Sequence, residues 1–208
     1  MNDLAVLVAD KNTEAALTAL LARPQALGIR PIAATIFVHP RRDPGCVNES
    51  HLFLKPFVQK YHHALVVFDH EGSGREDLPP HELAAAIGQQ LGESGWRERS
   101  QAIVIAPELE VWVWSSSPHV AQCIGWGDRP SGLHDWLSDA GHWPMNQAKP
   151  RHPKEALEAA LREIRRPRSS TLYSELAARV SLRGHNEPAF VALTATLQRW
   201  FPSEQDFG

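Results

Sequence analysis

The sequence predicts an α/β fold: a four-stranded parallel sheet between helices over residues 1–125, followed by a mostly helical region over residues 126–208. Three observations carry this. Short uncharged apolar runs alternate with helical stretches four times before residue 107, the pattern of a parallel sheet covered by helices. One run, Ala64-Leu65-Val66-Val67-Phe68, has the length and Val/Phe content of a strand buried on both faces. After residue 107 the spacing is helical and no further strand-like run occurs.

Residues 4–9 form the first strand. A helix follows to about residue 23, capped by Asn12 or Thr13, with Ala15, Ala16, Leu17, Leu20 and Leu21 inward. Residues 24–28 break the chain. Residues 32–38 are the second strand. His39-Pro40-Arg41-Arg42-Asp43-Pro44-Gly45 reads as a polar, proline-rich loop. Residues 49–60 then read as a helix that Pro56 weakens. The third strand ends at Asp69. A helix runs from about residue 81 to 91 with Pro80 near its first turn, and residues 101–106 are the fourth strand. Short helices are expected at 118–123 and 132–139, and longer ones at 153–164, 170–180 and 188–200.

At 208 residues and 43% apolar content the chain can bury a sizeable core. No apolar run approaches the roughly 20 residues of a membrane span, and Met1-Asn2-Asp3-Leu4 lacks the basic start of a signal peptide. Cys46 and Cys123 lack metal-ligand spacing. They read as free thiols of a cytoplasmic protein, with a bridge between them left open. Charge is uneven. Residues 1–148 carry 11 Lys/Arg against 17 Asp/Glu, and residues 149–208 carry 10 against 7. An acidic body and a basic tail suit a metal site beside an anionic partner; they also suit plain solvated faces.

Acids stand after three strands: Asp10 after the first, Asp69 and Glu71 after the third, Glu108 and Glu110 after the fourth. In an open parallel sheet these ends share the edge where ligands bind. If the third strand continues extended, Asp69 and Glu71 point the same way and converge on one cation, Mg2+ or Mn2+ by ligand type. So many acids on one edge repel one another unless a cation sits among them. Arg41 and Arg42 follow the second strand on the same edge and suit a phosphate. His39 there suits proton transfer. Gly72-Ser73-Gly74-Arg75 reads as a cradle for phosphate or as a flexible turn. His70 alternates away from the acids.

The order of these elements resembles the Toprim domain shared by topoisomerases, primases and nucleases of the overcoming-lysogenization-defect type. Val8-Ala9-Asp10-Lys11-Asn12-Thr13-Glu14 is similar to its first motif, with Asp10 in place of Glu and Lys11 in place of Gly. Asp69-His70-Glu71 is similar to its second. Pro107-Glu108-Leu109-Glu110-Val111-Trp112 resembles a Pro-Glu-x-Glu-x-Trp stretch of small prokaryotic Toprim-like proteins, several encoded in phage-defence clusters. The resemblance covers about residues 3–115. It implies a Mg2+- or Mn2+-dependent nuclease, a phosphodiester hydrolase of antiviral defence. Asp10, Asp69, Glu71, Glu108 and Glu110 would serve as metal ligands, and Asp10 and Glu14 as first-motif acids in the chemistry. The substituted first motif also fits a silent Toprim-like binding subunit of a multi-protein defence assembly. Lys149, Arg151, Lys154, Arg162, Arg165, Arg166 and Arg168 would contact DNA, RNA or a partner protein, or form a solvated helix face.

Overall fold

Alternation along the strands decides the layers. In the computed structural model, which describes residues 1–115, 117–127, 129–182 and 186–203, four strands form one parallel sheet. They are β1 (Asn2–Val8), β2 (Ala34–Val38), β3 (Tyr61–Asp69) and β4 (Ser100–Ile105), in the order β2-β1-β3-β4. Val6 sits opposite Ile36 on one side and Leu65 on the other, and Val67 opposite Ile103. Leu4, Val6, Val8, Leu65, Val67, Ile103 and Ile105 face one apolar layer. Ala5, Leu7, Ala64, Val66, Phe68, Ala102 and Val104 face the other. The near-continuous apolar runs follow from burial on both faces. Each fully buried Val or Leu contributes roughly 1.5–3 kcal/mol.

The second layer holds α3 (Arg42–Leu54) and α4 (Pro80–Leu91). The first holds α1 (Lys11–Leu21), the one-turn α2 (Pro24–Leu27), and the C-terminal helices α5 (His119–Ile124), α6 (Leu133–Asp139), α7 (Pro153–Glu163), α8 (Ser170–Arg179) and α9 (Pro188–Trp200). Apolar residues from β1 through α9 form one continuous cluster there. The chain closes on itself where Ile29 bridges Pro202 and the Arg30 amide donates to the Phe201 carbonyl at 3.1 Å. Among the described residues no helix is long and apolar enough to cross a membrane.

Four local expectations are corrected. Asp10, not Asn12 or Thr13, caps α1: its Oδ1 accepts from the Asn12 amide (3.0 Å), the Thr13 amide (2.8 Å) and the Thr13 hydroxyl (3.0 Å). The segment after β2 is helical from Arg42 onward. Pro44 falls in the first turn of α3, where no amide partner is needed, so it does not break the helix. Gly45 inside α3 leaves room for His39: a Cβ there would lie 1.9 Å from the ring Nδ1. The helix expected over 49–60 instead ends at Leu54 and tightens into a 3-10 turn, Lys55–Phe57, around Pro56. The break at 24–28 contains the turn of helix α2, closed by Gly28 at φ 70°. The cysteines are both free and buried on opposite sides of the sheet, Cys46 with α3 and Cys123 with α5, so no bridge joins them.

Candidate functional site

The order β2-β1-β3-β4 reverses direction between β1 and β3, and the crevice at such a reversal is where open α/β sheets bind ligands. Asp10 stands at the carboxyl end of β1 and Asp69 at that of β3. Asp43, in the first turn of α3, joins them, its Oδ1 accepting from the Asp69 amide at 2.9 Å. Sequence reading placed Asp43 near this edge without giving it a role. Its signal was masked because Pro44 and Gly45 disguise the start of a helix.

Asp69 is the focus of the site. Its Oδ1 is buried and has no hydrogen-bond partner among the described residues. Burial pushes its carboxyl well above the ordinary carboxylate range, and the charges of Asp43, Glu110, Asp10 and Glu108 push it the same way. Burial also raises the Asp43 carboxyl, against the hydrogen bond from Asp69, with Asp10 adding to the rise. Five acids from four segments therefore share one electrostatic neighbourhood.

Their surroundings divide them. Glu108 precedes, and Glu110 lies within, a 3-10 turn, Leu109–Trp112, that follows β4, and both are buried. Glu108 accepts from the Lys154 amide (3.1 Å) and the Lys154 Nζ (3.2 Å). Burial raises its carboxyl, Glu110 adds to this, and Lys154 opposes it. Glu110 Oε1 accepts from the Tyr173 hydroxyl and from Arg168 Nη1 at 2.8 Å. Both acids thus have built-in counter-charges or donors from α7, α8 and the link between them. Asp10 spends Oδ1 on capping α1, while its Oδ2 makes no hydrogen bond among the described residues. Glu71 is exposed. β3 ends at Asp69, the His70 amide pairs with the Ile105 carbonyl (2.8 Å), the Glu71 amide with that of Pro107 (2.9 Å), and the chain turns. Glu14 lies within α1 and pairs with Lys11 at 2.7 Å. Among the described residues no three His, Cys, Asp or Glu side chains form a ready metal cage. The carboxylate oxygens of this edge that accept no hydrogen bond among the described residues are those of Asp69, the second oxygens of Asp10 and Glu110, and those of exposed Glu71, with Asp43 beside Asp69.

Arg41 is paired with Glu49, whereas Arg42 is exposed and has no ion pair among the described residues. Arg42 borders a shallow cleft with Asp10, Lys11, Asn12 and His39. His39 is only 3% exposed. Its Nδ1 accepts from the Arg41 amide at 3.1 Å and its Nε2 faces Glu49 at 3.6 Å. Burial lowers its pKa, with Glu49 opposing. Both ring nitrogens are engaged, so His39 holds the β2–α3 connection. His70 Nε2 lies 2.9 Å from the Leu78 carbonyl and fastens the loop after β3. Trp114 is buried and donates to the Pro153 carbonyl at 2.9 Å, a packing role.

The basic segment stays at least partly exposed, but four of its seven residues are engaged by acids. Lys149 pairs with Glu187 (2.7 Å), Lys154 with Glu108, Arg166 with Glu175 (3.0 Å), and Arg168 with Glu110 and Glu158. Arg162 and Arg165 make no ion pair among the described residues. Fold and site together define a doubly wound α/β protein with five acids grouped at the carboxyl edge of its switch point. Compared with family models, curated proteins and solved structures, the chain gives no significant match.

Proposed function

We propose that this chain is a Toprim-like phosphodiester-cleaving enzyme of the cytoplasm, dependent on Mg2+ or Mn2+ and acting on DNA or RNA. The observation that carries the reading is Asp69, whose buried, unpartnered Oδ1 lies at the switch point among four other acids. A buried carboxylate without a partner is costly, and a cation is the partner that four neighbouring negative charges favour. Asp69 would hold the ion together with Asp10 and Asp43, and Glu71 could join from the exposed side. The ion, when bound, supplies an activated water and charge stabilisation at the phosphoryl oxygens. Arg42, free on the cleft rim, orients a substrate phosphate. Lys154, Arg168 and Tyr173 keep Glu108 and Glu110 in place, so these two acids shape the negative field of the crevice.

One observation favours a second reading, a non-catalytic binding subunit. Glu108 and Glu110 are satisfied internally, so the acid edge has partly settled its own charge without a metal. One substitution separates the two. Without divalent ion, Asp69→Asn replaces a carboxyl whose charged form burial and four neighbouring acids disfavour, and should leave the protein at least as stable as wild type. Wild type should gain melting temperature with millimolar Mn2+ by linkage and the variant should not. With Mn2+, wild type should nick plasmid or degrade single strands while the folded variant does not. Absence of both the thermal response and cleavage would leave the subunit reading.

A further inference from the structure

The loop after β3 carries a feature that the acid edge does not explain. Gly72 has φ 82° and Gly74 has φ 77°, and a Cβ at either would meet nothing within 4 Å. Space is not the reason for glycine here. The backbone is, because only this left-handed geometry turns the two amides toward a common point. That point is occupied by a carboxylate: Glu76 Oε1 accepts from the Gly72 amide at 2.8 Å and from the Gly74 amide at 3.2 Å. The platform beneath is pinned. Ser73 is 1% exposed, its Oγ accepts from the Arg75 amide at 3.1 Å, and its own amide donates to the His70 carbonyl at 3.2 Å. The Leu78 amide donates to the Arg75 carbonyl, and His70 Nε2 meets the Leu78 carbonyl. Above the platform Gly72, Gly74, Arg75 and Glu76 are all exposed.

A converging pair of amides on a rigid loop, open to solvent, is an oxyanion receptor, and Glu76 plays the part of the oxyanion. We infer that the turn Gly72–Glu76 is a phosphate-binding nest held closed by its own glutamate. A phosphate group of a ligand enters by displacing that side chain. Two features favour phosphate as the occupant. Several oxygens of one phosphate can accept both amides at once, and Arg75, whose guanidinium Nε holds Asp77 at 3.3 Å, is exposed beside the nest. The hydrogen bonds that Glu76 receives, first from its own amide and then from Gly74 and Gly72, hold its carboxyl below the ordinary range, so at neutral pH the competitor is always charged. Displacement therefore has a fixed cost, and an internal competitor lowers the apparent affinity of any external anion.

The inference deepens the phosphodiester reading by naming where a substrate phosphate sits. It rests on that reading only for the source of the phosphate, so its test omits metal and catalysis. Amide chemical shifts of the full chain are followed on titration with inorganic phosphate, and separately with a short oligothymidine lacking terminal phosphates. Glu76→Ala should tighten phosphate binding about tenfold over wild type, with the largest shifts at Gly72 and Gly74. Glu82→Ala, which removes an exposed acid from the start of α4, controls for net charge and should change affinity far less. Gly74→Ala in the Glu76→Ala background should abolish the gain, because an L-residue resists φ 77°. Asp69→Asn should leave phosphate binding intact, which separates failure of the nest from failure of the metal site. Binding of both probes would assign phosphodiesters, and binding of inorganic phosphate alone would assign terminal or free phosphate; each upholds the nest. If Glu76→Ala gains no more than Glu82→Ala, or the shifts fall away from Gly72 and Gly74, the nest reading is wrong.

Discussion

Tyr173→Phe tests whether the C-terminal helices are bound chemically to the acid edge. The substitution removes one oxygen and keeps the ring, which is 2% exposed and well packed. What changes is Glu110, whose side chain is 4% exposed and whose Oε1 is shared by the Tyr173 hydroxyl and Arg168. A hydrogen bond to a charged group contributes about 1.5–3 kcal/mol. Arg168 remains in place and, being about one-third exposed, leaves Glu110 one solvated partner, so the lower part of that range applies, about 2 kcal/mol. For a chain of this length each kcal/mol moves the melting temperature by roughly 2–4 °C, so a fall of about 4–8 °C is expected. Urea denaturation should show a lower midpoint with unchanged slope. Glu110→Gln combined with Tyr173→Phe should cost less than the sum of the two alone, because they share one interaction. A loss below about 0.5 kcal/mol, the size of an ordinary surface change, would refute the reasoning: the hydroxyl would then be replaced by water at no cost.

Two further outcomes follow from packing. Gly45→Ala improves helix propensity by about 1 kcal/mol yet should destabilise the protein by about 1–3 kcal/mol in chemical denaturation, since the new Cβ would lie 1.9 Å from His39 Nδ1; a stabilised variant would show that the ring can move aside freely. His63 stacks on Trp200 at 4.4 Å with its Nδ1 buried and unpartnered, and burial, with the charges of His62, Arg99 and Arg199, lowers its pKa to about 4. The unfolded chain therefore takes up this proton first, so the contribution of His63 is full above about pH 6.5 and is lost as pH falls toward 4. NMR titration should find its ring neutral at pH 5, and a midpoint near 6.5 would contradict the stacked geometry.

The strands were legible because burial on both faces leaves a run that no helix face mimics, as in Ala64–Phe68. Their ends were less so. Asp69 and Glu71 looked like a convergent pair only if β3 ran on, but the strand ends at Asp69 and the chain turns while the His70 and Glu71 amides keep pairing with the Ile105 and Pro107 carbonyls. That pairing depends on a second strand and leaves no local mark. The same holds for Glu108 and Glu110: their position at the edge was readable, but Lys154, Arg168 and Tyr173 lie 46 to 63 positions later. A basic segment read along the chain suggested a nucleic-acid surface, while folding spends much of it on internal acids. Asp43 was hidden behind residues that usually break helices and here begin one.

The two cysteines offer a use that needs no engineering. Each thiol is sealed in a different apolar layer, Cys46 between the sheet and α3, Cys123 under α5 against the opposite face. Burial pushes both thiols up and away from the reactive thiolate. Alkylation of either one therefore reports the moment its own layer opens. Pulse labelling followed by peptide mass spectrometry would time the two sides of the sheet independently. It would show whether the helices carrying the C-terminal cations peel away before the sheet itself gives way, or whether the whole molecule opens as one unit.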